Sequence, residues 1–178
     1  MRKIIYYAAT SIDGYISGPD EDVSRFTANG DGINQYLDDL KEFDTVIMGR
    51  KTYEFGYKSG LKPGQLAYPH MKHWVFSSTL KFENCEKGLE VKSLDVNNIE
   101  ELKKEDGSDI YLCGGGEFAG WLLENEKIDI LKIKLNPIIL GYGVRIFGNS
   151  EKPINLQLLS TANYNDDLHI ITYKIIYE

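Results

Sequence analysis

Apolar and polar residues alternate along this chain in blocks that predict strands and helices in turn. A nearly continuous apolar run over residues 3–9 is typical of a strand that is covered on both faces. From Ile33 onward, apolar residues recur at offsets of 3, 4, 7 and 10. This spacing predicts a helix with one apolar face, for which Asp31 is a plausible N-cap. Between the strand at 3–9 and the helix that begins near Ile33 lies a polar, glycine-containing segment, residues 17–32.

The same two patterns continue through the rest of the chain. Short buried strands are predicted at 45–48, 73–76, 109–113 and 129–135, and helices at 97–104 and 117–125, with one more helix beginning at Tyr53. Residues 156–163 and 168–176 predict an antiparallel hairpin whose turn is Asn165-Asp166-Asp167. Strands that alternate with helices, followed by strands alone, predict an α/β fold with helices packed on a mixed sheet.

Length and composition exclude several classes of protein. The chain has 178 residues without a repeat or linker, so we expect a single domain over residues 1–178. A net charge of −7 argues against binding to nucleic acid, and no apolar run approaches the roughly 20 residues that span a bilayer. Two cysteines cannot build a disulfide scaffold, so free thiols in a cytoplasmic protein are expected. His70 and His73 lack a third ligand nearby in the sequence, so no metal site is expected.

Three of the predicted strands end in residues that suit an anion or a nucleotide. These ends are Gly49-Arg50-Lys51-Thr52, Ser77-Ser78-Thr79 and Gly114-Gly115-Gly116. In open α/β sheets, ligands lie at the carboxyl ends of strands, where helix N-termini present free N–H groups to phosphates. Glycines would let the backbone approach a pyrophosphate closely. Each motif alone could equally form a turn or a cap, but their recurrence in one domain favours a nucleotide site.

Five segments of the chain together resemble the dihydrofolate reductase-like family. The nearest branch is the one related to the reductase domain of the bacterial riboflavin-biosynthesis deaminase/reductase. The segments are TSIDGYI at 10–16, VIMGRKTYE at 46–54, VFSSTL at 75–80, IYLCGGGE at 110–117 and NPIILGYG at 136–143. They follow the order of the family over almost the whole chain. The resemblance implies a three-layer α/β fold, with flanking helices on a mixed, largely parallel sheet of about eight strands.

The resemblance also implies an enzyme, an NADPH-dependent oxidoreductase that transfers a hydride to a small pterin- or pyrimidine-like heterocycle. Dihydrofolate and 5-amino-6-(5-phosphoribosylamino)uracil are substrates of this type. The implied cofactor positions are Ala9 and Ile16 beside the nicotinamide, and Gly49, Arg50, Lys51, Thr52, Ser77, Ser78, Gly114, Gly115, Gly116 and Glu117 along the phosphates and the adenosine. A homodimer is a further expectation from the family.

The implied substrate contacts lie in the first motif, at Thr10, Ser11 and Asp13, with Asp13 as the candidate catalytic residue. Asp-Gly is also a favoured turn pair, so Asp13 could serve backbone geometry alone. The segment 17–32 would form a lid over the nicotinamide, or else an ordinary surface loop.

The chain departs from the family at two places that bear on its ligands. Ser78 stands where the family often has a basic residue, which weakens the implied preference for NADPH over NADH. Asp31 and Asp38 lie in the region where dihydrofolate reductases carry the acidic residue that binds a pteridine ring, but neither stands in a matching motif. The alternative function is a non-catalytic module that binds NADPH and has lost turnover.

Overall fold

The strands and helices that the apolar pattern predicts are present in the computed structural model, which describes residues 1–165 and 167–177. The strands are β1 (Ile4–Thr10), β2 (Tyr15–Ser17), β3 (Thr45–Gly49), β4 (Lys72–Phe76), β5 (Leu89–Lys92), β6 (Ile110–Gly114), β7 (Ile130–Leu135), β8 (Val144–Arg145), β9 (Asn155–Asn163) and β10 (His169–Ile176). The α-helices are α1 (Asp31–Leu40), α2 (Arg50–Phe55), α3 (Val96–Lys104) and α4 (Gly116–Glu124). Short 3-10 turns cover Pro19–Glu21 and Gly56–Ser59.

Eight of the described strands form one sheet in the order β5-β4-β3-β6-β1-β7-β10-β9. The six strands from β5 to β7 in this order run parallel to one another, whereas β10 is antiparallel to both β7 and β9. Strands β2 and β8 pair separately beside the main sheet. The predicted mixed, largely parallel α/β sheet is therefore confirmed.

Helices cover both faces of the sheet and give three layers. Tyr6 belongs to an apolar cluster with residues of α3 and α4, whereas its neighbour Tyr7 belongs to a cluster with residues of α1 and α2. Successive side chains of a strand point to opposite faces, so β1 contributes to both cores. Both tyrosines are at most 1% exposed, as expected for a central strand.

The structure corrects three details of the predicted elements. The N-cap of α1 is Gly30, at φ 115°, a backbone conformation that favours glycine, and Asp31 is the first helical residue. Helix α2 begins at Arg50 and not at Tyr53, directly after β3. Strand β5 was not predicted, because only Leu89 of its four residues is buried and the apolar pattern is too short to detect. In the predicted hairpin turn, Asp166 lies outside the described residues.

Within the described residues, Cys85 and Cys113 are free thiols and no three His, Cys, Asp or Glu side chains group around a possible metal ion. None of the described helices combines the length and the apolar character that crossing a bilayer requires.

Candidate functional site

The order of the sheet brings together the three strand ends that the sequence singled out. Strands β4, β3 and β6 are consecutive and parallel, with Gly49 opposite Phe76 and Met48 opposite Gly114. Their carboxyl ends therefore lie along one edge of the sheet, where α2 and α4 begin. The predicted convergence of the three motifs is present in the fold.

Two of these ends are in direct contact. A Cβ atom added to Gly115 would lie 2.8 Å from the Thr52 Oγ1 atom, and one added to Gly49 would lie 3.3 Å from the Cβ of Phe118. Gly114 has φ 129°, in the region that favours glycine, and the Gly114-Gly115 peptide bond is cis. The first turn of α2 and the glycine turn before α4 thus form one continuous surface.

Arg50 places a cation on this surface. As the first residue of α2 it is partly exposed, and its Nη1 donates a hydrogen bond of 2.9 Å to Glu54 Oε2 one turn along the helix. A guanidinium has five N–H donors, so the contact with Glu54 leaves others for a phosphate. Lys51, the next residue, is exposed.

The serine motif after β4 has a turn-forming role. Ser77 Oγ accepts hydrogen bonds from the backbone N–H groups of Thr79 and Leu80, at 3.1 and 3.0 Å. Its own N–H donates to the carbonyl of Lys92 in β5 at 2.9 Å. Ser78 is exposed beside this turn, at the same edge of the sheet.

The third glycine of the triple-glycine motif is needed for packing, whatever ligand binds. A Cβ atom on Gly116 would lie 2.1 Å from the carbonyl oxygen of Arg145, and one on Gly120 would lie 2.3 Å from that of Phe147. Helix α4 therefore lies directly against the backbone of residues 145–148. The Glu117 carboxylate accepts a hydrogen bond of 3.0 Å from Asn149 in the adjoining segment.

The first motif holds the turn between β1 and β2. The exposed Asp13 carboxylate accepts hydrogen bonds from the backbone N–H groups of Leu140 and Gly141, at 3.1 and 2.7 Å. A hydrogen bond from Ser11 and these backbone contacts lower the pKa of Asp13 to about 2. These contacts tie the turn after β1 to residues 140–141 through the Asp13 carboxylate. Thr10 and Ser11 beside it are buried.

Sequence reasoning missed two buried polar residues near the ends of β1 and β7. Asn136 is 1% exposed; its Nδ2 donates to the carbonyls of Lys134 and Thr10, and its Oδ1 accepts from the Thr27 N–H. Lys134 is 8% exposed and lies two residues earlier. The signal was present in the run Ile130–Leu135, where Lys132 and Lys134 interrupt an otherwise apolar strand.

Comparisons with known proteins agree with this architecture. Residues 2–170 match the family model described as the RibD C-terminal domain. YwjB of Bacillus subtilis is 29% identical over 170 residues, which cover 95% of this chain and 96% of YwjB. A crystal structure titled as a putative riboflavin biosynthesis protein from Shewanella has a TM-score of 0.81 at 23% identity and covers 98% of this chain and 99% of its own. Dihydrofolate reductase from Enterococcus faecalis, solved with NADP(H), has a TM-score of 0.66 at 16% identity, with 97% and 94% covered. With its match over nearly the whole length, the chain belongs to the RibD C-terminal domain family.

Proposed function

We propose that this protein is an NADPH-dependent reductase that transfers a hydride to a small pterin- or pyrimidine-like heterocycle. The observation that carries the proposal is the adjacency of the ends of β4, β3 and β6, from two of which a helix starts directly. Membership of a reductase-like family and the fold shared with an NADP(H)-bound dihydrofolate reductase support it.

The residues at this edge fit a dinucleotide phosphate. The first-turn N–H groups of α4 have no intrahelical partner, and the Arg50 guanidinium and Thr52 hydroxyl lie on the adjoining surface. Ser77 and Ser78 would hold the adenosine side, and Ala9 and Ile16 would lie beside the nicotinamide. When bound, NADPH supplies the hydride.

The chain itself would orient the two reactants and exclude water. Residues 18–30, the part of the predicted lid between β2 and α1, are tied at two positions. Asn136, directly after β7, holds Thr27, and Lys58, in the turn after α2, forms an ion pair of 3.0 Å with Glu21. A loop that is tied at both positions is suited to cover a nicotinamide at Ala9. Asp13, anchored to residues 140–141, would hold the turn that carries Thr10 and Ser11 towards the substrate.

Thermal shift with NADPH and NADH tests the proposal. Ligand at one hundred times Kd stabilises a protein by about 2.7 kcal/mol, so a clear rise in Tm is expected with NADPH. If neither nucleotide raises the Tm, the proposal is wrong. If NADPH binds but is not consumed with dihydrofolate or with 5-amino-6-(5-phosphoribosylamino)uracil, the non-catalytic module is favoured.

Arg50→Ala tests the phosphate contact. We expect it to weaken NADPH more than NADH, because Arg50 follows β3 beside Ser77 of the neighbouring strand end, where its guanidinium would bind the 2′-phosphate that only NADPH carries. Glu54→Gln releases Arg50 from its ion pair and should leave the affinity for NADPH unchanged or higher. Lys3→Ala is the matched control, because it removes one exposed positive charge at the opposite edge of the sheet. An equal loss of NADPH and NADH affinity in Arg50→Ala would contradict the assigned role.

A further inference from the structure

Lys134 is a buried cation without an ionic partner among the described residues. It is 8% exposed and is the last but one residue of β7. Its ammonium lies 3.5 Å from the centre of the Tyr36 ring of α1. No carboxylate of residues 1–165 and 167–177 forms an ion pair with it. The side chain is buried, but its Nζ is not among the fully enclosed polar atoms of the described residues, so a group from outside the chain can reach the ammonium.

Lys132, on the same strand, has the ionic partner that Lys134 lacks among the described residues. Lys132 is two residues earlier and points to the same side of the sheet. Its ammonium lies 2.5 Å from Asp39 Oδ2, which also accepts a hydrogen bond from the Tyr7 hydroxyl. Asp39, the carboxylate of α1 that contacts β1 and β7, is thus already paired with Lys132.

The groups that face Lys134 from other elements are neutral. Tyr36 of α1 lies against the ammonium and Cys113 of β6 is within electrostatic reach of it, and Tyr111 and Tyr68 contact these two groups in turn. Tyr36 and Tyr111 share a hydroxyl–hydroxyl hydrogen bond of 2.8 Å, and Tyr68 lies 3.7 Å from the sulfur of Cys113. Burial raises the pKa of all four groups, so none of them supplies a negative charge at neutral pH. Burial also lowers the pKa of Lys134, to about 8, so most of the lysine remains cationic there.

The position of Lys134 is next to the expected nicotinamide. In the sheet it is the register partner of Ala9, and Cys113 directly precedes the glycine turn. Lys134 therefore lies at the carboxyl ends of the strands, on the face that α1 covers. A substrate that meets the nicotinamide on this face would reach the ammonium.

We propose that Lys134 is the specificity-determining residue of the substrate cleft, where its ammonium binds a carbonyl oxygen or an anionic atom of the substrate. This inference rests on the proposed reductase function. The donor-rich edge of a pterin calls for a carboxylate at such a position, but Asp39 is occupied by Lys132 and Lys134 is a donor. The cleft therefore takes heterocycles that present acceptor atoms in preference to folates.

Stability measurements separate this role from a structural one. Lys134→Met keeps an unbranched side chain over Tyr36 and removes the unpaired charge. We expect an unchanged or higher Tm, because a residue kept for binding at the expense of stability can be replaced without loss. Lys174→Met is the matched control, since Lys174 is an exposed residue on the same sheet face. A marked fall in Tm for Lys134→Met alone would assign the lysine a structural role and overturn the proposal.

Binding of small probes completes the test. Barbiturate, a pyrimidine that is anionic at neutral pH, and folate are titrated by calorimetry with and without saturating NADP⁺. We expect barbiturate to bind more tightly than folate, to lose at least tenfold in affinity in Lys134→Met, and to be unaffected in Lys174→Met. No barbiturate binding by the unmodified protein, or equal binding by Lys134→Met, would overturn the inference. Failure of NADPH to bind would instead refute the reductase function, and the titrations without nucleotide would still decide the role of Lys134.

Discussion

Asn136→Ala perturbs the residue that joins the 18–30 segment to the strand ends. Asn136 is 1% exposed and makes side-chain hydrogen bonds of 3.0 Å with Thr27, 3.1 Å with Lys134 and 3.4 Å with Thr10. At about 1 kcal/mol for each of the two shorter bonds and less for the long one, the loss is about 2–3 kcal/mol. A protein of this size loses roughly 2–4 °C per kcal/mol, so the Tm should fall by about 4–12 °C.

Two measurements check this value. Urea denaturation gives the change in the free energy of unfolding, and limited trypsin digestion reports whether the exposed Arg25, two residues before Thr27, is cleaved faster. Asn98→Ala is the control, because the hydrogen bonds of Asn98 to Ser93 lie at the surface, where water replaces them. A Tm within 2 °C of the unmodified protein, with unchanged cleavage at Arg25, would refute the argument.

Three further predictions follow from packing, edge exposure and charge. In urea denaturation, Gly120→Ala should lose about 2 kcal/mol, because its new Cβ would lie 2.3 Å from the backbone carbonyl oxygen of Phe147. Gly18→Ala is the control, because its Cβ would lie at an ordinary contact distance of 3.4 Å from the Asp22 carbonyl oxygen; it should lose under about 1 kcal/mol, and equal losses would contradict the argument. Strand β9 is the exposed edge of the main sheet and carries no charged residue, so we propose that a second copy of the chain covers it. Light scattering should show a dimer that Leu158→Lys converts to a monomer, and a monomeric unmodified protein would contradict this proposal. Burial raises the pKa of Asp39, but hydrogen bonds led by the one from Lys132 outweigh it, so the pKa is lowered. The stabilisation from the ionised carboxylate is therefore present at neutral pH and lost as the pH falls below about 4. The difference in Tm between the unmodified protein and Asp39→Asn should shrink from about pH 6 to about pH 3, and a constant difference would exclude this ion pair as its source.

The candidate cofactor edge could be predicted from the sequence because its signals are local. Arg50 directly follows the last residue of β3, and Gly114 is the last residue of β6, so each motif lies in the sequence where its strand ends. Parallel strands align such ends along one edge of a sheet, which let the sequence anticipate their convergence. The length of α2 and the N-cap of α1 differed, since these depend on backbone angles that composition does not fix.

The candidate substrate face could not be predicted in the same way. Whether a lysine in a strand is paired depends on which residues of α1 and β6 face it, and these are distant in sequence. Lys132 and Lys134 are indistinguishable in the pattern, yet Lys132 pairs with Asp39, whereas Lys134 lies against the Tyr36 ring and has no carboxylate partner among the described residues.

The sequence by itself determined the alternation of strands and helices, the family resemblance and the edge at which a nucleotide is expected, because periodicity and motif spacing are properties of short segments. Tertiary structure alone decided that Gly116 is needed for packing against residues 145–148, that Asn136 holds the 18–30 segment and that Lys134 is a buried cation without an ion pair among the described residues. Each of these facts depends on contacts between segments far apart in the chain, which only the packing of the layers on the sheet brings together.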